Sequence, residues 1–230
     1  MILVIAAMEE EYQELERLME NPKKIMVDDI KTHQGKIDNK DVILMLSGIG
    51  KVNAAYSFTT ILKKYDIDFV VNIGSAGGVV NDHHVEALDI VVAKKVCYHD
   101  VDLTLADRKP GVLPNLPQYF EASLHDDMLK KLEETNLKYH YATIASGDQF
   151  VYSLDRVAYI TSTFDDVCAI EMEAGAIAHL CHTHKIPFVV FRSISDVVGK
   201  EDNNQVQFEE YIEQASKNSA LAATKIIECV

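Results

Sequence analysis

Ile2-Leu3-Val4-Ile5-Ala6-Ala7, Phe69-Val70-Val71-Asn72-Ile73 and Phe188-Val189-Val190-Phe191 are apolar at almost every position, without the alternation of a half-exposed strand. Strands of this kind lie in a largely parallel sheet covered on both faces. Between such runs the chain turns charged and helical, over about Glu9 to Glu20, Lys51 to Lys64, Ser153 to Thr161, Glu173 to His184 and Phe208 to Cys229. Further strands fit Asp89 to Ala93, Ala142 to Ala145 and Val167 to Ile170, and the last apolar run extends to Ser193. Asn21-Pro22 reads as the stop of the first helix, because proline disfavours helix at the preceding residue. Two strands, Ile25 to Ile37 and Val42 to Leu46, flank the turn Asp38-Asn39-Lys40 as a hairpin and add antiparallel pairing. The pattern predicts an α/β fold with a central mixed sheet between layers of helices. There is no repeat or linker, so residues 1–230 are read as one domain. Leu103 to Ala122 is the one long irregular segment and holds three of the five prolines; loops of that length tend to be functional.

Charge removes several classes of partner. With 22 Lys+Arg against 36 Asp+Glu the net charge is -14, which repels phosphate backbones and anionic lipids. Nucleic acid is therefore excluded as a partner. No apolar run reaches the length of about 18 residues that a membrane span needs. The apolar start lacks a basic flank and runs straight into Glu9-Glu10-Glu11, so it reads as a buried strand rather than a signal peptide. Cys97, Cys168, Cys181 and Cys229 are scattered, and a core of this size needs no disulfide; they read as reduced thiols of a cytoplasmic protein.

In sheets of this class ligands sit beyond the carboxyl ends of the strands. That is where Glu9 to Glu11, Ser47 to Gly50, Gly74 to Gly78, Glu171 with Glu173, and Asp196 all fall. Gly48-Ile49-Gly50-Lys51-Val52-Asn53 fails as a dinucleotide turn, because Asn53 replaces the third glycine, and as a P-loop, because Val52 stands where a hydroxyl should bind magnesium. Ile73-Gly74-Ser75-Ala76-Gly77 lacks the first glycine of a nucleophile elbow, so it reads as a loop in which backbone approaches a ligand. His179, His182 and His184 suit the last turn of a helix better than a metal, since His184 points away from the other two. The carboxylates are harder to dismiss. Glu171, Glu173 and Asp196 sit at apolar junctions, where an unpaired charge costs several kcal/mol. Acids held at different proton affinities in one cleft are the equipment for splitting a glycosidic bond.

Seven motifs in order, Ala7-Met8-Glu9-Glu10-Glu11, Ser47-Gly48-Ile49-Gly50-Lys51-Val52-Asn53-Ala54-Ala55, Asn72-Ile73-Gly74-Ser75-Ala76-Gly77-Gly78, Tyr98-His99-Asp100, Ser146-Gly147-Asp148-Gln149-Phe150, Glu171-Met172-Glu173-Ala174 and Arg192-Ser193-Ile194-Ser195-Asp196, resemble those of bacterial 5'-methylthioadenosine/S-adenosylhomocysteine nucleosidases. The resemblance spans the chain. It implies a nucleoside phosphorylase-like three-layer α/β/α fold, a homodimer, and hydrolysis of either nucleoside to adenine and a thio-substituted ribose, without metal or cofactor. Carried over by position, Asp196 gives a proton to adenine N7 and Glu11 activates the water, with Arg192 and Ser75 beside that water and the ribose. Glu173 accepts from both ribose hydroxyls, Met172 packs against the sugar, Phe150 stacks on the purine and the Val151 backbone reads its edge. Ser195 orients Asp196, and Met8 and Ile49 complete the nucleoside pocket. A phosphorolytic relative would need cations around phosphate, whereas Glu11 places negative charge where the nucleophile sits. A non-catalytic adenosine binder would have no use for two acids.

One stretch departs from the pattern. After Tyr98-His99-Asp100 many relatives carry an aromatic, Gly-rich stretch; here it reads Thr104-Leu105-Ala106-Asp107-Arg108-Lys109-Pro110-Gly111-Val112. Ala106 stands where an aromatic usually reaches across the dimer to the 5'-thio pocket, and the His83-His84 neighbourhood is longer than usual. The expectation is a wider tail pocket that favours methylthioadenosine less, with Leu103 to Ala122 at a two-fold interface.

Overall fold

A computed structural model describes residues 1–80, 83–199 and 204–230. Among the described residues, eleven strands and six helices follow in the order β1 (Ile2–Ala6), α1 (Glu9–Leu18), β2 (Glu20–Val27), β3 (Ile30–Ile37), β4 (Lys40–Leu46), α2 (Lys51–Leu62), β5 (Phe69–Asn72), β6 (Ser75–Val79), β7 (Ile90–Tyr98), β8 (Phe120–Glu121), α3 (Asp126–Glu133), β9 (Tyr139–Ser146), α4 (Leu154–Thr163), β10 (Val167–Glu171), α5 (Ala174–His184), β11 (Phe188–Val198) and α6 (Asn204–Ile227). The strands form one mixed sheet in the order β2-β3-β4-β1-β5-β11-β6-β10-β9-β7-β8. All five residues of β1 are buried, and the strand pairs in parallel with β4 and β5. The continuous apolar runs are the interior of the sheet, as expected.

Helices cover both faces. Tyr12 and Leu15 of α1, Met128 and Leu132 of α3 and Ile226 and Ile227 of α6 pack into one core cluster with Val4, Val71 and Phe191 of the sheet. Phe58 and Ile61 of α2 and Ile177 and Cys181 of α5 belong to the cluster on the other side. A third cluster joins Val157 and Ile160 of α4 to Cys97, Ala145 and Ile170. No helix of the described residues is long and apolar enough to cross a membrane.

Strand β11 is the spine. Phe188 to Val190 pair with β5, Phe191 to Ser193 with β7, and Ser193 to Val198 with β6. Because β7 also pairs with β9, β9 with β10 and β10 with β6, this half of the sheet closes into a ring of strands. The register of β11 against β6 slips between Ile194 and Asp196, leaving Ser195 as an extra residue. Such a bulge re-aims the side chains that follow it.

Four expectations need correction. Ile25 to Ile37 is two strands, broken at Asp28-Asp29, where Asp28 takes φ +54°. The first helix ends at Leu18, and Pro22 lies in the mostly exposed edge strand β2, where a missing N–H is tolerated. Ser75 to Val79 is a strand rather than a loop, and Asp196 lies inside β11 rather than after it. Helix α3 escaped notice because only Met128 and Leu132 are buried along its eight residues.

Candidate active site

A cavity of about 280 Å³ opens at the strand ends expected from topology. It is lined by Met8, Glu11, Ile49, Ser75, Phe150, Val151, Met172, Glu173, Ser195 and Asp196 together with seven residues given no role from the sequence, among them Gln149, Glu171 and Phe208. Ten of the eleven residues assigned from the sequence therefore meet in one place.

Glu11 sits in the first turn of α1, just beyond β1, where free backbone N–H groups and the positive end of the helix dipole favour a carboxylate. Its Oε2 accepts from the N–H groups of Ala7 (3.0 Å) and Met8 (3.1 Å). Its Oε1 accepts from the N–H (3.0 Å) and the hydroxyl (3.2 Å) of Ser75. Burial raises its pKa, and the charge of Arg192 and these N–H donors oppose the rise without cancelling it. A Cβ at Gly74 would stand 3.2 Å from Glu11 Oε1, so glycine lets the two strand ends close on the carboxylate.

Glu173 stands at the N-terminal boundary of α5, and its side chain accepts from the N–H of Gly50 (2.8 Å), which binds the Ser47-Gly50 turn to the pocket. Burial and the negative charge of Glu171 hold its pKa well above the carboxylate range. Glu171 ends β10 and accepts from the N–H groups of Glu173 (3.0 Å) and Ala174 (2.9 Å). It also receives Arg192 Nη2 at 2.6 Å, and the same nitrogen donates to Asn72 Oδ1 at 2.7 Å. Arg192 is thus the exception among the sequence assignments. It is 1% exposed and stands behind the cavity wall, because a buried guanidinium needs a carboxylate partner and finds it in Glu171.

Asp196 is buried on β11. Ser195 Oγ donates to its Oδ1 (2.9 Å) and Asn204 Nδ2 to its Oδ2 (2.9 Å). Burial raises its pKa, and the two hydrogen bonds oppose that. Neighbours in a regular strand face opposite ways, yet Ser195 and Asp196 both line the cavity; the bulge makes that possible. Nothing in the sequence marks the bulge, and Asn204 gave no signal because it lies eight residues away on another element.

Phe150 is half exposed at the mouth, with its ring edge-on to Phe208 of α6 at 6.0 Å between centroids. Phe208 could have been found only by knowing where α6 docks. Tyr98-His99-Asp100 and Ser146 to Gln149 build the support. Asp100 Oδ2 binds Lys51 Nζ (2.6 Å) and the N–H of Asp148 (2.9 Å), while Asp148 Oδ1 accepts from the N–H of Lys51 (2.8 Å). His179 stacks on Phe120 at 5.7 Å and meets the Tyr98 hydroxyl at 3.2 Å, which makes it part of an aromatic cluster.

The fold and the carboxylate-lined pocket together define an enzyme class, that of nucleoside-cleaving proteins, and residues 1–230 match the family model of the phosphorylase superfamily. The 5'-methylthioadenosine/S-adenosylhomocysteine nucleosidase of Bacillus subtilis is 39% identical over 232 residues, covering 99% of this chain and 98% of that one. Among solved structures, the corresponding nucleosidase of Neisseria meningitidis in complex with methylthio-immucillin-A superposes with a TM-score of 0.90 at 34% identity, covering 100% and 99% of the two chains. An aspartate-to-asparagine variant of the Helicobacter pylori enzyme, with 5'-methylthioadenosine in its active site, gives 0.91 at 30% identity, covering 100% and 98%. The chain belongs to the 5'-methylthioadenosine/S-adenosylhomocysteine nucleosidases, which are N-glycosyl hydrolases acting on purine nucleosides.

Proposed function

We propose that this chain hydrolyses the N-glycosidic bond of 5'-methylthioadenosine and S-adenosylhomocysteine, releasing adenine and the 5-thio-substituted ribose. The observation that carries the choice of hydrolysis over phosphorolysis is the composition of the pocket wall. Among the described residues that line it there is no Lys, Arg or His, so a phosphate nucleophile would meet carboxylates and no cation. Water has no such need.

In this reading Asp196 is the acid. Burial keeps its proton available at higher pH than an exposed aspartate would, and the proton passes to purine N7 as the bond to C1' breaks. Adenine then leaves neutral instead of as an anion. Glu11 takes a proton from water as its oxygen bonds to C1', and its four donors keep the carboxylate aimed while the ribosyl cation develops. Stabilising that cation more than the ground state is what accelerates the step, an effect typically worth ~3–4 kcal/mol per well-placed group. In its ionised form Glu173 offers two acceptor oxygens to two ribose hydroxyls. Ser195 aims Asp196, Phe150 stacks on the purine, Met172 packs against the sugar, and Arg192 acts from behind by fixing Glu171 and lending positive charge toward Glu11. Asp196 and Glu11 regain their starting states by proton exchange with solvent.

The protein acts as a homodimer in the same reading, with Leu103 to Ala122 of one subunit closing the tail end of the partner's pocket. A two-fold pairing lets one segment serve both sites. The decisive experiment is incubation with 5'-methylthioadenosine in phosphate-free buffer with detection of free adenine. Adenine release without phosphate is expected; strict dependence on phosphate would replace hydrolysis by phosphorolysis, and intact nucleoside would leave only a binder.

A further inference from the structure

At the opposite ends of the strands that feed the pocket, a second group of side chains converges. One ring nitrogen of His83, one of His140 and the sulfur of Cys168 all lie within 4.8 Å of one another. His83 follows β6, while His140 and Cys168 are the second residues of the parallel strands β9 and β10. Glu171 lies three residues along β10 from Cys168, roughly 10 Å at the rise of a strand, so this cluster is separate from the nucleoside cavity.

Its surroundings are organised. His83 Nε2 meets Asp166 Oδ1 at 2.6 Å and His140 Nε2 meets Asp89 Oδ2 at 2.8 Å. Asp89 is itself fixed by Lys138 Nζ at 2.9 Å and by the N–H of Glu86 at 3.0 Å. An imidazole that binds a metal through one nitrogen almost always gives its other N–H to a carboxylate, which sets the tautomer and raises the basicity of the ligating nitrogen. Here each histidine has a carboxylate on its Nε2, so binding of that kind would run through Nδ1. Cys168 is fully buried and the His140 side chain nearly so, whereas the His83 side chain is 31% exposed and leaves an entry path from solvent. Two imidazoles and one thiolate form a donor set for a borderline-soft ion, and three protein ligands leave one position for water.

We propose that His83, His140 and Cys168 bind one borderline-soft divalent cation, zinc foremost, at a structural site remote from the nucleoside pocket. On binding, the Cys168 S–H bond gives its proton to solvent and the sulfur electron pair forms the bond to the ion, with no change in oxidation state. The ion ties the chain that follows β6 to the starts of β9 and β10. Because β6 also carries Ser75 and Gly77 of the pocket wall, the tie steadies the catalytic end without touching it.

The test uses tag-free full-length protein, stripped with chelator and titrated with cobalt(II) as the optical probe. One equivalent should give a thiolate-to-metal charge-transfer band that zinc(II) then displaces, and zinc should raise the melting temperature. Cys168→Ala should abolish the band, while Cys229→Ala, which removes the one cysteine that is not buried, should keep it. If Cys168→Ala fails to fold, His83→Gln at the partly exposed position carries the test by losing saturable binding. Asp166→Asn should weaken zinc by ~10–100-fold, the usual effect of removing an outer carboxylate. Absence of saturable cobalt binding, a band that survives Cys168→Ala, or unchanged affinity in His83→Gln would each overturn the site.

Discussion

Glu11 is held by three backbone amides and one hydroxyl, whereas the side chain of Leu105, at the tip of the Leu103 to Ala122 segment, stands entirely in solvent. The two regions carry opposite kinds of sequence constraint. In the pocket each carboxylate is fixed by elements from several parts of the chain, so a change at any of them disturbs the others. In the segment, Thr104 to Lys109 are exposed, and none of them lines the cavity. Val101, Leu113 and Leu116 anchor its base against the core while the tip stays outside. In the proposed function, one chain builds the part of the pocket where the bond breaks, and the part that meets the variable 5' substituent is left for something beyond it. In the proposed dimer that something is the partner's own segment.

The comparison breaks most readily at the acids. Asp196→Asn should lower kcat by ~10²–10⁴-fold while nucleoside binding persists, since the amide keeps the shape and removes the transferable proton. Adenine release together with calorimetric binding of an uncleavable analogue checks it, and near-normal turnover removes Asp196 from the acid role. Glu11→Gln should lose ~10²-fold or more for want of a base, again with binding retained. At the segment the effects should be smaller and should change preference rather than rate. Ala106→Phe should shift the ratio of kcat/KM for methylthioadenosine over S-adenosylhomocysteine upward by ~10-fold, the scale on which an apolar pocket separates ligands that differ by a methylene. An unchanged ratio in an enzyme that already prefers methylthioadenosine strongly would show that the segment does not set specificity.

The smallest effect concerns stability. Glu173 has a proton affinity raised by burial and by Glu171, so above the ordinary carboxylate pKa the folded state holds a proton that the unfolded chain has released. Stability must then fall as pH rises toward the raised value, and the contribution is complete only below the unfolded pKa. Glu173→Gln should flatten that fall. Urea denaturation at several pH values measures it, and parallel wild-type and variant curves would contradict the assignment.

How much of this could be read beforehand follows the same division. The buried strands β1, β5 and β11 announced themselves because a strand covered on both faces must be apolar throughout. Glu173 and Asp196 stood out because they sit at the junctions of such runs, whereas only the resemblance to a family separated Glu11 from Glu9 and Glu10. Strand β6 did not, since Ser75-Ala76-Gly77-Gly78 has the composition of a loop. A Cβ at Gly78 would press to 3.0 Å from Ile194 and 3.1 Å from Val85, so close strand packing, rather than turn formation, selects glycine there. The placement of Arg192 behind the wall also escaped the sequence, because its partners Glu171 and Asn72 come from different strands. Contacts such as Asn204 to Asp196 and Phe208 to Phe150 depend on how a long helix docks, which local pattern does not encode.

The extra residue in β11 has a consequence of parity. A strand assigns its side chains to faces by counting odd and even, and Ser195 shifts that count by one. Before it, the chain keeps the order demanded by the pairing of Phe191 to Ser193 with β7; after it, the opposite order holds along β6. Single-residue deletions between Ser193 and Asp196 should therefore be far worse than substitutions at the same positions. A deletion restores regular counting and sends the acid to the other face with its chemistry intact, whereas a substitution leaves the count alone.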